Sequence, residues 1–269
     1  MSEERDEIGS VLLREYVLGI LQAGKRIDGR DLLEMREISV EKGTFTKSYG
    51  EAWLSLGKTK VLVGISLDVG EPFPDTPDKC VFVSNVELLP LASPNFEPGP
   101  PDEYSIELAR VVDRAFRSAN AIDFEKLVIE PGKLVYTIFL DMYVLDHKGN
   151  LADALTMASL VALMRTKVPK IELDLEGNVV VKEEFFPMPV INKPISFTFV
   201  KIGDYLLLDP SLEEETIADS MITLAVDDQG RICSIQLRKG YFTDDEIKKA
   251  YEIAREKMRE VRSKLEEVV

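Results

Sequence analysis

Residues 48–67, SYGEAWLSLGKTKVLVGISL, constrain the fold more than any other stretch of the chain. Ala52, Leu54 and Leu56 alternate with polar or small neighbours. After Gly57-Lys58 the alternation resumes at Val61, Val63, Ile65 and Leu67. A period of two with β-branched residues on one face specifies strands. Gly57-Lys58 reads as the two-residue turn of a hairpin, with glycine supplying the positive φ. The Gly-Lys-Thr triplet also ends a nucleotide-binding P-loop, but that motif needs a glycine five positions before its second glycine. Here that position is Ala52, and a strand, not a helix, follows the triplet.

Other elements follow from periodicity. Residues 8–23 read as a helix with an apolar stripe of Val11, Leu12, Tyr16, Gly19, Ile20 and Ala23. GKRIDGR (24–30) is a glycine-bounded basic turn, and REISVEKGTF (36–45) supplies a strand. Two proline-rich loops, 71–77 and 90–103, flank a strand in CVFVSNVELL. A helix starts at Ser105, with Leu108, Val112, Ala115 and Ala119 on its core side. Residues 133–145 form a strand buried on most sides. ALTMASLVALMRTK is a small-residue helix that must pack closely on a sheet. Strands follow at 178–183, 195–208 and 221–238. Thr243 and Glu246 make a capping box for a last helix, whose stripe is Ile247, Tyr251, Ala254, Met258, Val261 and Leu265. Strands followed by helices occur twice, over 36–120 and 133–265. The expected fold is therefore α+β with two similar halves, divided into 1–30 (helix and basic turn), 31–125 and 126–269.

With 48 acidic against 33 basic residues the net charge is −15, so the chain as a whole repels phosphate. Any nucleic-acid contact must come from a local arginine cluster or from a partner's positive field. No apolar run is long enough to cross a membrane, and MSEERDEIGS is too acidic and polar for a signal peptide. Cys80 and Cys233, the only cysteines, suit a reducing cytoplasmic compartment. One histidine, His147, leaves little material for a triad or a transition-metal site, and it reads as a surface loop residue. Glu213, Glu214 and Glu215 read as a solvated acidic turn rather than a metal site, and no cofactor is implied.

Five segments carry a resemblance to a known family: GKRIDGRDLLEMREI, GEAWLSLGKTKVLVGI, SIELARVVDRAFRSA, FLDMYVLDHKGNLADALTMASLVAL and LDPSLEEETIADSMITLAV. In this order they resemble the RNase PH family, and within it the non-catalytic RNase PH-like subunits of the archaeal exosome. The resemblance implies a duplicated βαβα fold and six-membered rings. Active members shorten RNA from its 3′ end with phosphate as the attacking group. It further implies a catalytic RNase PH-like partner in a 3:3 ring, single-stranded RNA as ligand, and RNA-binding cap subunits as further partners.

Phosphorolysis needs a phosphate site, normally a loop opening a helix, with backbone N–H groups and an arginine aimed at the anion. Where active members of the family read Gly-Thr-Arg, this chain has Gly149-Asn150-Leu151-Ala152-Asp153. Leu151 and Ala152 stand in place of the hydroxyl and the arginine. Asp153 reads as a helix-start carboxylate that makes the place hostile to anions. The family's acid near the C-terminal strands falls at or one residue from Asp219. No catalytic residue is assigned. Arg110, Arg114 and Arg117 share one helix face, with Glu107 and Asp113 as local ion-pair partners. Spacing alone makes this a solvated face. The resemblance makes Arg110 and Arg114 RNA-phosphate ligands beside a partner's active site, with Arg117 less firmly matched. Two other readings stay open: an active phosphorolytic exoribonuclease with a rearranged loop, and a purely structural ring subunit.

Overall fold

The computed structural model describes residues 2–41, 43, 45–174 and 178–269, the side chains of 2–8 excepted, so Lys42 and Thr44 of the expected strand 36–45 lie outside the described residues. Helix α1 (Ser2–Gln22) is followed by strands β1 (Ile38–Glu41), β2 (Gly50–Leu56), β3 (Thr59–Gly70) and β4 (Val81–Leu88). Then come α2 (Glu103–Ala119), β5 (Val128–Glu130), β6 (Leu134–Asp146) and α3 (Leu151–Arg165). The C-terminal part contains β7 (Lys167–Leu173), β8 (Val179–Pro187), β9 (Ile195–Ile202), β10 (Tyr205–Leu208), α4 (Leu212–Ile217), β11 (Ser220–Val226), β12 (Ile232–Lys239) and α5 (Asp244–Glu266).

The first sheet runs β1-β2-β3-β6-β4, with β5 also on β6. The β2–β3 hairpin pairs Leu56 with Thr59 around Gly57-Lys58, as the alternation requires. Strands β4 and β6 are parallel, joined through α2. The second sheet, β10-β9-β11-β12, is antiparallel throughout, and β7–β8 is a separate ribbon. Strand β6 sits between β3 and β4, which places it in the first sheet. The change of sheet therefore does not coincide with the expected division at 125/126. Period-two patterning identifies a strand but not the strand it pairs with.

Helices α2 and α3 lie between the sheets: α2 packs on β4 and β12, α3 on β2, β3 and β9. Every residue of α3 from Leu151 to Leu163 is buried. A helix apolar all round needs neighbours on all sides, and small residues let them approach. Each fully buried Leu or Met contributes about 1.5–3 kcal/mol. Helix α5 closes the other face of the second sheet, with Ala254, Met258, Val261 and Leu265 in the core under the Thr243–Glu246 capping box.

Helix α1 corrects one expectation. Val11, Leu12 and Tyr16 face solvent, 59–65% exposed, while Val17 and Leu21 pack on Val200, Ile202, Leu207 and Ile217. Both faces of α1 are apolar, so periodicity could not choose between them. The 195–208 and 221–238 segments are each two strands, split at Gly203 and at the Asp227–Arg231 turn.

Candidate functional site

The loop before α3 is pinned from three directions. Arg36, at the entry to β1, donates to the carbonyl of Lys148 (3.0 Å) and grips Asp209 through Nη2 (2.7 Å), Nε (3.0 Å) and its own backbone N–H (2.8 Å). Thr59 Oγ1 donates to the carbonyl of Gly149 at 2.7 Å. Gly149 has φ +90°, and a Cβ there would sit 2.4 Å from the backbone nitrogen of Leu212. Only glycine fits so close to the α4 segment. Asn150 and Asp209 both adopt the left-handed region, at φ 55° and 54°. Asn and Asp tolerate it better than other non-glycine residues, and their side-chain bonds hold it here.

Three carboxylates converge on Asn150. Its backbone N–H donates to Glu215 Oε1 at 2.7 Å, and its Nδ2 donates to both Asp153 and Asp209 at 2.7 Å. Asp153 also accepts from the backbone N–H (2.9 Å) and hydroxyl (2.8 Å) of Thr198 on β9. Burial pushes Asp153 up to about 7 despite these bonds, and pushes Glu215 up to about 7 as well. Asp209 is equally enclosed, yet the hydrogen bonds and charge of Arg36 outweigh burial and hold it below the usual carboxylate range. Beside them Arg26, 1% exposed, forks onto Glu214, and donates to the carbonyls of Leu208 (2.7 Å) and Asp209 (2.8 Å). Arg30 adds a second cation on Asp209 at 3.1 Å.

The helix start thus meets carboxyl groups supplied by the chain itself, of which Asp209 is held ionised. The N–H of Asn150 is occupied by Glu215, and Arg26, Arg30 and Arg36 are all committed to carboxylates or carbonyls. Leu151 and Ala152 are buried and bring no donor side chain. Alongside opens a cleft of about 400 Å3, lined by Tyr104, Glu107, His147, Glu215, Arg238 and Lys239. Its guanidinium, Arg238, is held 4.9 Å over the Tyr104 ring and 3.2 Å from Glu107.

Two expectations need correction. His147 is buried at 7% exposure, stacked on Phe96 at 5.4 Å, and burial lowers it to about 4, so it is neutral at pH 7. Of the acidic turn only Glu213 is solvated; Glu214 and Glu215 point inward, toward Arg26 and Asn150. Asp219 pairs with Arg14 at 3.0 Å and accepts from the Gly203 N–H, and the acid bonded to the loop itself is Glu215. Sequence reasoning missed Arg26, Arg30, Arg36 and Asp209, which meet across more than 170 residues of chain. Among the described residues no group of three or more His, Cys, Asp or Glu side chains is placed to hold a metal ion.

On α2 the core stripe is as expected, with Leu108, Val112, Ala115 and Ala119 buried and Asp102 capping the helix. Arg110, Arg114 and Arg117 are all exposed. Arg117 is the engaged one: it pairs with Asp113 at 2.8 Å, donates to the Phe82 carbonyl and lies 5.6 Å over the Phe82 ring. Arg114 makes one long contact, 3.4 Å to Gln236. Arg110 has no hydrogen-bond or ion-pair partner among the described residues.

The chain matches the 3′ exoribonuclease family of RNase PH over residues 34–169 for its domain 1 and 192–257 for its domain 2. These bounds separate the first sheet and α3 from the second sheet and most of α5. The Exosome complex component Rrp42 of Thermococcus gammatolerans is 50% identical over 98% of this chain and 97% of its own length. That of Pyrococcus furiosus is 49% identical over 96% and 94%. A chain of the Archaeoglobus fulgidus exosome with RNA bound to the active site superposes with a TM-score of 0.86 at 41% identity, covering 96% of this chain and 99% of that one. A rice Rrp46 structure shares the fold at 15% identity and a TM-score of 0.69. The sequence segments, the two-sheet fold and these matches agree: the chain belongs to the RNase PH family of 3′ exoribonucleases.

Proposed function

We propose that this chain is a non-catalytic subunit of a phosphorolytic 3′-to-5′ exoribonuclease ring, binding single-stranded RNA and shaping the active site of a catalytic RNase PH-like partner. One observation carries the reading: where an attacking phosphate would be received, the Asn150 N–H is bonded to Glu215, with Asp153 and Asp209 a hydrogen bond away. A phosphate there would meet the ionised Asp209, and Arg26, Arg30 and Arg36 beside it are already committed to carboxylates and carbonyls. The names of the relatives support an exosome setting, and the acidic chain suits a more basic partner in a 3:3 ring. RNA-binding cap subunits and a cytoplasmic workplace complete the reading. No helix among the described residues is long and apolar enough to cross a membrane. Arg110, Arg114 and Arg117 are the RNA-binding arginines in this reading, Arg117 being already engaged by Asp113 and Phe82.

The purified chain, incubated with single-stranded RNA and phosphate, is expected to release no nucleoside diphosphate. Steady release by a preparation free of other subunits would overturn the proposal.

A further inference from the structure

Strand β4 ends the first sheet and hydrogen-bonds to β6 alone. Arg117 takes the Phe82 carbonyl, but among the described residues the backbone of residues 83–88 has no partner beyond the β6 ladder. An edge of this kind normally pairs, is covered, or is blunted. Here the edge from Asn85 to Leu89 instead faces a cleft of about 440 Å3, whose opposite wall is the loop Phe96–Asp102. Pro98, Pro100 and Pro101 of that wall have no N–H, so the loop cannot itself form a ladder with β4. The loop is anchored at its base by Phe96 on His147 and by the His147 N–H on the Ala92 carbonyl (3.1 Å), which holds the slot open.

The lining is acidic: Glu87, Glu97 and Asp102 are exposed, and neither Glu87 nor Glu97 has a cationic partner among the described residues. That charge favours a cationic ligand along the strand edge; the cation beside it is Arg110, which lines the adjoining hollow with Ser84, Asn85 and Pro101. A free strand edge supplies main-chain hydrogen bonds and takes alternate side chains, the requirements of an added strand. We propose that the β4 edge receives an extended basic peptide segment of a partner protein, added as a strand and held by Glu87, Glu97 and Asp102. This site is separate from the loop before α3; it adjoins the Arg110 face of α2 through Asn85, Val86, Pro101 and Ser105.

The test uses the full chain and a fluorescent alternating Lys-Val octapeptide, followed by anisotropy. Two further probes carry N-methyl groups on alternate residues, one in each register. Saturable binding is expected, with one methylated register weakened at least tenfold and the other little changed, because only one set of N–H groups can face β4. The variant Glu87→Lys/Glu97→Lys should weaken the unmethylated peptide at least tenfold, and bound peptide should slow amide exchange at residues 84–88. Absent binding, equal binding of both methylated registers, or indifference to charge reversal would overturn the proposal. So would protection of residues 84–88 by single-stranded RNA but not by the peptide.

Discussion

The loop before α3 and the outer face of α2 both concentrate arginines, and they use them in opposite ways. At the loop, Arg26, Arg30 and Arg36 are buried or nearly so and every one is spent on a carboxylate. On α2, Arg110 and Arg114 stand in solvent with little or nothing attached. A buried cation must be matched at once, because leaving it unpaired costs several kcal/mol. An exposed one is kept solvated at little cost and stays available to an incoming anion. Counting arginines therefore says little about which of them are free to take an anion; their partners decide it.

The largest expected effect is at the loop. Asp209→Ala leaves Arg36 and Arg30 facing an empty, buried position and should destabilise the fold by about 3–5 kcal/mol. Guanidinium unfolding would measure it. A loss no larger than for a surface substitution would erase the contrast between the two regions.

A smaller effect concerns pH. Asp153 binds its proton more tightly folded than unfolded, rising from 3.8 to about 7. Between about pH 4 and 7 the unfolded chain ionises while the folded one stays protonated, so this group lowers stability as pH rises through that window. Relative to Asp153→Asn, the native chain should lose on the order of 3 kcal/mol between pH 4.5 and 8. Because asparagine also disturbs the bonds to Thr198 and Asn150, the slope with pH is the readout, not the absolute stability. A parallel pH dependence in the two proteins would contradict the protonated state. Smaller still is Arg117→Ala, which loses an exposed i,i+4 pair together with its contacts to the Phe82 carbonyl and ring and should destabilise by about 1–2 kcal/mol. In the assembled ring it should also reduce RNA affinity less than Arg110→Ala does.

Local rules made the scaffold legible. The β2–β3 hairpin, the α2 stripe and the α5 capping box need only neighbours in sequence, and each stands where the pattern put it. The outer face of α1 and the sheet membership of β6 depend on which surface comes to meet them, which periodicity does not encode. Part of the candidate site was legible too: Leu151 and Ala152 already lack the groups that hold an anion. What replaces the anion was hidden, because Arg36 and Asp209 are 173 residues apart and an acidic triplet looks the same whether it points out or in. The αL turn at Asp209 and the Ser211 capping box turn Glu214 in onto Arg26, and the Asn150 N–H holds Glu215 at the loop.

In the proposed function RNA is held on α2 while the loop before α3 performs no chemistry. The most direct test is RNA affinity of the assembled ring carrying Arg110→Ala/Arg114→Ala, titrated at several salt concentrations. Phosphate contacts position a strand without reading bases, so the loss should be similar across RNA sequences. The log–log salt slope should fall by about 1.4, roughly 0.7 for each contact to single-stranded RNA. The ring should remain intact by native mass spectrometry as a 3:3 species. An intact ring with unchanged affinity and slope would return both arginines to an ordinary solvated face and contradict the account.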